Sequence, residues 1–550
     1  MPLRRLLVSI IFTVLSCNSH ATVLLHNIAG YHVSDKELLE FTAIAYDEGV
    51  VQATDSLTEL KKRFPQAKLL DGGGRTLIPG LIDAHGHMLG LGRLQQQLEL
   101  RDLGLDQTLA AIRARSAELQ PGQWLLGRGW NQVVWPGKEF PTRQQLDALE
   151  IDNPVWLSRI DGHAGWANSQ ALELAGITRD TRSPEGGEII LDEQGEPTGV
   201  LIDNAMNLMA NAIPAPTLAD DKASLEAAFR IALSLGLTGV HDAGVARQGL
   251  KAYRELAAEN RIPLRMYPMV AIESKDIEAL LSEGWIGQAD ERLFVRSIKL
   301  SADGALGSRG AALIEPYHDR PDERGLLLHP EKEMLDLLRL ATDKAFQVNV
   351  HAIGDRANHI VLNHLETLHK SKDQKPFRHR VEHAQVLKPA DIPRFPRLDL
   401  IASMQPTHAT SDMNMAADRV GEQRLEGAYA WRKFLEQGTR IAGGSDFPVE
   451  PVNPLYGIHA AVTRQNRANQ PNGGWRMKDA MTREEALRAF TLDAAYASHQ
   501  ESVIGNLMPG KYADFVLLDR DIFKVPAEQI WEARVLETWV EGERVYQAQD

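Results

Sequence analysis

Leu77-Ile-Pro-Gly-Leu-Ile-Asp-Ala-His-Gly-His87 decides the reading of this chain. A short apolar run ends in two histidines one residue apart, His85 and His87. In a strand, residues i and i+2 point to the same face, so both imidazoles converge just past the strand end. Two neutral imidazoles at that spacing form half of a site for zinc or a similar ion. Alone the pair says little. It gains weight because further ligand types follow downstream, each on its own strand-like run.

Four later segments repeat the pattern. Arg296-Ser-Ile-Lys-Leu-Ser-Ala-Asp-Gly304 carries Lys299 near the end of a β-like run. Gln347-Val-Asn-Val-His351 and His379-Arg-Val-Glu-His383 each end in a histidine. Arg440-Ile-Ala-Gly-Gly-Ser-Asp446 ends in an aspartate, followed by Phe-Pro-Val. The inventory is therefore His85, His87, Lys299, His351, His383 and Asp446. Each stands where an apolar run gives way to a polar or glycine-containing turn. A parallel α/β barrel places its chemistry at such strand ends.

The ordered set His-x-His, Lys, His, His, Asp resembles the signature of the amidohydrolase superfamily. Pro79-Gly-Leu-Ile-Asp-Ala-His85, Lys299-Leu-Ser-Ala-Asp-Gly-Ala-Leu-Gly-Ser-Arg309, His351-Ala-Ile-Gly-Asp355, Glu382-His383-Ala and Gly444-Ser-Asp-Phe-Pro448 are similar to its amidohydrolase family 3 branch, which includes N-substituted formamide deformylases. The likeness runs from about Val23 to about Tyr546. It implies two divalent metal ions, with zinc the first expectation, although manganese, iron, nickel or cobalt would accept the same donors. His85, His87 and Asp446 would hold one metal and His351 and His383 the other. A carbamate formed from CO2 on Lys299 would bridge them. The amine could become neutral because nearby cations lower its pKa from about 10.4. The competing reading pairs Lys299 with an acid such as Asp303.

The expected function follows from that set. The chain would be a metal-dependent hydrolase of C–N bonds other than peptide bonds, acting on a small-molecule amide, N-acyl or N-formyl compound. Metal coordination brings the pKa of water from about 15.7 towards 7, so a bridging hydroxide is the expected nucleophile. Asp446 would shuttle the proton from water to the leaving amine. His163, in Asp161-Gly-His-Ala-Gly-Trp166, is a second catalytic candidate, for the leaving group or the oxyanion. Trp130, with Trp135, is a candidate aromatic wall, with buried core tryptophans as the competing and favoured reading. Asp303, Arg309, His408 and Asp412 lie just beyond strand ends and are candidate substrate contacts, though each could equally fix a loop. Glu382 and Asp355 are candidates for orienting metal-bound imidazoles. Two alternatives remain. One is hydrolytic deamination or cyclic-amide opening at the same metals. The other is a non-catalytic, metal-stabilised periplasmic binding protein, against which Asp446 weighs.

The chain has 550 residues, 43% of them hydrophobic, and a formal net charge of −14. The acidic balance and the lack of a basic run beyond the extreme N-terminus argue against a nucleic-acid partner. Arg4-Arg5 and the apolar Leu6–Leu15 read as a signal peptide over residues 1–21, cleaved after Ser19-His-Ala21. Export to the periplasm is expected. In a second reading Cys17 is the lipidated residue of Val14-Leu-Ser-Cys17. Cys17 is the sole cysteine, so the mature chain would have neither disulfide nor thiol nucleophile. No other run is apolar enough to span a membrane. Oligomeric state stays open, a homodimer being one option.

The expected fold class is α/β: a TIM-like (β/α)8 barrel over residues 78–505, with a small β-domain built from both chain ends, 22–77 and 506–550. Eight barrel strands are nominated: Ile78–His85, Leu237–Asp242, Leu264–Ile272, Phe294–Leu300, Gln347–His351, Arg380–His383, Leu400–Met404 and Arg440–Asp446. Helical periodicity lies between most of them, as in Lys222–Leu235 and Glu331–Phe346. The first gap is too long for one barrel helix, and residues 101–216 read as an inserted subdomain with strands near Trp124–Arg128 and Val155–Ile160. In the terminal domain Asp71-Gly-Gly-Gly74 reads as a turn, and Val535–Val545 as one strand.

Overall fold

Both chain ends meet in one seven-stranded sheet, ordered Glu543–Gln547, Val535–Val540, Phe515–Leu518, Lys68–Pro79, Val23–Val33, Leu38–Asp47, Val50–Asp55. A computed structural model describes residues 22–549, apart from positions 36, 96, 102, 133–134, 160–163, 185–186, 204, 275, 308 and 372–376. The targeting segment and His163 lie outside the described residues. Alternating apolar residues on one face of the terminal sheet, among them Leu25, Ile28, Phe41, Ile44, Phe515 and Leu517, bury one another.

Two local readings of this domain are corrected. Asp71-Gly-Gly-Gly74 is no turn. It lies inside the continuous strand Lys68–Pro79, where Gly73 and Gly74 have positive φ and the pairing with Val23–Val33 slips between His26 and Ile28. The glycines make a bulge, not a reversal. Conversely, Val535–Val545 is two strands. Glu541 and Gly542, at φ 52° and 71°, form the tight turn of a hairpin between Val535–Val540 and Glu543–Gln547.

All eight nominated barrel strands contain strand; Leu237–Asp242 and Arg380–His383 match at both ends, and the other six have shifted ends. Ile78 belongs to the terminal sheet, paired with Val516, and the parallel strand begins at Leu81. Arg265–Met266, Leu237–Asp242 and Leu81–Gly86 form one parallel set. Met269–Ala271, Ser297–Ser301, Gln347–Ala352, Arg380–His383, Ile401–Met404 and Ile441–Gly443 form another. The third nominated strand is thus split between the two sets. Single parallel bridges, Val245 to Val270 and Gly86 to Phe447, link them on either side. Helices such as Leu218–Ser234, Glu331–Asp343 and Asp355–Ser371 alternate with the strands. The first presents Leu225, Ala228, Phe229 and Ala232 to the core at helical spacing. Among the described residues, no helix is long and apolar enough to cross a membrane.

The insertion carries its own six-stranded sheet, ordered Gly187–Leu191, Pro197–Asp203, Ala164–Ala167, Val155–Arg159, Leu125–Trp130, Leu98–Glu99. Trp130 takes the core reading here, and its nomination as a substrate contact is corrected. It is fully enclosed, stacks on Trp135, meets Trp166 edge-on and donates its indole N–H to the Leu157 carbonyl at 2.7 Å. Its large apolar ring stabilises the insertion core and forms no exposed wall.

Arg265 ties the parallel strands to the terminal sheet. Its guanidinium, 1% exposed, donates to Asp514 and to Glu541, both at 2.9 Å. Arg265→Met would strand the buried Asp514 carboxylate and is expected to cost about 3–5 kcal/mol. A lowered urea midpoint with unchanged slope would check it.

Candidate metal centre

The first and last parallel strands set the site. Asp446 N–H donates to the His85 carbonyl at 2.7 Å, and His87 N–H to the Phe447 carbonyl at 2.8 Å. The backbones approach closely at Gly444, where a Cβ would sit 2.6 Å from the His85 nitrogen. Only glycine fits. Asp83, below His85 on the same strand face, accepts from Ser445 Oγ at 2.7 Å and from the His85 N–H at 3.0 Å. Burial pushes its carboxyl up to about 7, against these hydrogen bonds. His87 lies one residue past the strand, but its extended-like φ −130°, ψ 87° continues the alternation. Strand register does the rest: Ser301 pairs with His351, and His351 with Glu382.

Three imidazoles are held by their Nδ1 atoms. His85 Nδ1 lies 2.5 Å from Glu382 Oε2, His87 Nδ1 2.9 Å from the Ala243 carbonyl, and His383 Nδ1 2.8 Å from Gln405 Oε1. Each partner is an acceptor, so each Nδ1 carries the proton and each Nε2 keeps its lone pair. His85 Nε2 is buried without a hydrogen-bond partner, and so are His351 Nε2 and His408 Nε2. His87 Nε2 faces the carboxylate Asp446 Oδ1 at 2.9 Å. Unpartnered lone pairs facing a carboxylate in a buried cavity are what a cation completes. His85, His87 and Asp446, and likewise His383, His408 and Asp446, bring ligand atoms within 4.8 Å of one another. The donor set fits divalent metal.

The charges agree. Burial, then Lys299, holds His85 neutral well below its ordinary pKa, and the same two causes lower His351 to about 3. Burial also lowers the Lys299 amine, with Glu382 and Asp446 opposing. Burial works against the Asp446 carboxylate, but its imidazole neighbours His87, His85 and His408 outweigh it and lower its pKa. Backbone φ is positive at His383 and Asp446, 71° and 63°. Such conformations in non-glycine residues cluster at functional sites.

A cavity of about 390 Å³ contains His85, His87, Lys299, His351, His383 and Asp446 in its wall. The sequence-nominated ligands thus share one space. His351 belongs to neither close triad, although its ring lies 4.4 Å from that of His383. His408 lines the cavity, 3.6 Å from Asp446 Oδ2. Asp303 does not: it is fully buried and accepts from the Ala312, Ile353 and Gly354 N–H groups, fixing loops. Arg309 instead pairs with Asp319 at 2.8 Å. Asp355 accepts from the Ile314 N–H rather than from an imidazole. Gln405, Asp83 and the Ala243 carbonyl escaped the sequence reading. Asp83 alone had a signal, its i, i+2, i+4 spacing with His85 and His87.

Parallel strands with helices between them, carrying buried metal-ligand donors at the strand ends, define an α/β metal-dependent hydrolase class. A model of the amidohydrolase family matches residues 68–546. The chain is 35% identical to the putative amidohydrolase YtcJ of Bacillus subtilis (strain 168), over 92% of this chain and 96% of that protein. It is 28% identical to the N-substituted formamide deformylase of Arthrobacter pascens, over 91% and 94%. An uncharacterized metal-dependent hydrolase from Pyrococcus horikoshii superposes with a TM-score of 0.78 at 26% identity, covering 92% of this chain and 99% of that one. The chain belongs to the amidohydrolase family. It is an enzyme, a hydrolase of carbon–nitrogen bonds, and its fold neighbours imply a TIM-like barrel with an additional domain.

Glu382 is expected to tune metal affinity through His85. Glu382→Gln should weaken metal retention about 10–100-fold, read by titration with a competing chelator, with thermal unfolding as the folding control.

Proposed function

We propose that the chain is an amide or N-acyl hydrolase of small molecules. The observation that carries this reading is the convergence of anchored imidazole lone pairs on Asp446 within one cavity. His85, His87 and Asp446 would hold one divalent cation, and His383 and His351 a second, with zinc the metal best suited to the donors. Bound metals supply Lewis acidity, polarising the substrate carbonyl and making water nucleophilic near neutral pH.

The chain's own residues do the remainder. Glu382, Gln405 and the Ala243 carbonyl keep the imidazoles in the Nε2-accepting tautomer. Asp446, kept ionised, takes the proton of the attacking water and returns it to the departing nitrogen. Its Oδ1 faces His87 and its Oδ2 faces His408. Lys299 is 7% exposed, and burial favours its neutral amine, which supports the reading that it would take up CO2 as a carbamate and supply oxygen ligands to the metals. His163 stays a proposed contact to the substrate. The relation to the formamide deformylase of Arthrobacter pascens favours N-formyl amines among the substrates to be tried. Arg4-Arg5 and the following apolar run support export.

Asp446→Asn should keep its metal and lose roughly 10²–10⁴-fold in kcat on a panel of N-formyl and N-acetyl amines. Elemental analysis beside the rates separates loss of chemistry from loss of metal. A metal-replete wild-type protein that cleaves no member of the panel would overturn the reading.

A further inference from the structure

The cavity lining is of two kinds. Ala305, Leu306, Ile353 and Val449 are apolar, and the segments after three later strands contribute the carboxylates Asp412 and Glu450 beside His408 and Gln385. Neither carboxylate has an ion pair with lysine or arginine among the described residues. Asp412 Oδ2 accepts from Gln385 Nε2 and Tyr429 OH, both at 2.7 Å, and Glu450 Oε1 accepts from Ser411 Oγ at 2.5 Å. No protein hydrogen bond among the described residues engages Asp412 Oδ1 or Glu450 Oε2. Half-buried carboxylates in a cavity raise its affinity for cations, and they do so more strongly where water is partly excluded. The cavity is a built one: His85, fully enclosed, lines it and leaves its Nε2 unpartnered.

Direction within the cavity follows from Asp446. The group that protonates the departing nitrogen lies beside that nitrogen. Asp446 Oδ2 lies 3.6 Å from His408 Nε2, and Glu450 follows Asp446 in the same segment. On the amide-hydrolase reading the leaving amine would lie beside Asp446, towards His408 and Glu450, and the acyl group would take the apolar lining of Ala305, Leu306 and Ile353.

We propose that the preferred substrate is a mono-acylated diamine, an amide whose leaving amine carries a second, cationic nitrogen held by Glu450 and Asp412. The proposal rests on the amide-hydrolase reading above. In the reaction, water oxygen bonds to the carbonyl carbon, the C–N bond breaks, and the proton carried by Asp446 passes to the departing nitrogen. The products are a short carboxylate and a diamine.

The test compares N-acetyl-1,4-diaminobutane with the neutral isostere N-pentylacetamide, using metal-replete full-length protein. Wild type should favour the cationic amide by about 10–100-fold in kcat/KM, the range expected for hydrogen bonds to a charged group. Glu450→Gln should reduce that ratio at least about tenfold, mainly through KM of the cationic substrate, and Glu450→Lys should invert it. Calorimetry with 1,4-diaminobutane against 1-aminopentane reads the same wall without turnover. Stronger binding of the diamine, lost in Glu450→Gln, supports it. Equal kcat/KM for the two amides, or diamine binding unchanged by Glu450→Gln in a protein that unfolds at the wild-type temperature, overturns it. Cleavage of neither amide with selective diamine binding intact would sink the hydrolase reading and leave the cationic wall standing.

Discussion

The hydrogen bond from the Asp446 N–H to the His85 carbonyl is the constraint on which the centre depends. It sews the segment after the last parallel strand to the end of the first. Everything polar nearby follows from that junction. Gly444 is needed because a side chain would strike the His85 backbone, and Asp83 reaches across to Ser445 because the two segments touch. Without the junction, Asp446 would be one more turn aspartate. With it, a carboxylate stands 2.9 Å from His87 Nε2 and 3.5 Å from His85 Nε2.

Burying so many polar groups is costly unless each is matched. The molecule matches most of them with protein. Arg380 lies 3.8 Å from Glu382 and 3.0 Å from His241 Nδ1, deep among the strands. Glu382 in turn anchors His85. The atoms left without a hydrogen-bond partner at the cavity are His85 Nε2, His351 Nε2 and His408 Nε2, and burial keeps the first two rings neutral. Unpartnered buried atoms also occur elsewhere, as at His32 and Asn349, so it is the convergence of three such imidazole nitrogens on one cavity with Asp446 that marks the candidate centre. The same reasoning sorts the outer residues. Asp303 uses both oxygens on backbone N–H groups, whereas Glu450 keeps one oxygen free towards the cavity.

Much of this arrangement was legible in the residues themselves. Apolar runs ending in His85, Lys299, His351, His383 and Asp446 announce parallel strands and the end at which chemistry sits. All eight nominations contain strand because β-branched runs bounded by turns are strong local signals. The errors are equally local in origin. A glycine triplet looks like a turn from composition, yet a bulge needs the same positive φ. A hairpin of Glu541 and Gly542 hides inside a run that alternates on both sides of it.

The chain alone determined the ligand types, their order and the strand ends that carry them, because period-two alternation is a property of the backbone and needs no neighbour. Tertiary structure decided which atom of each imidazole is free, that Trp130 packs an insertion core, that Asp303 and Arg309 serve loops, and that Asp412 and Glu450 share a cavity wall with His408. Those outcomes depend on partners such as Gln405 and the Ala243 carbonyl, reached only when distant segments pack. A hydrogen bond is set by where its acceptor lies in space, and residue order along the chain does not encode that distance.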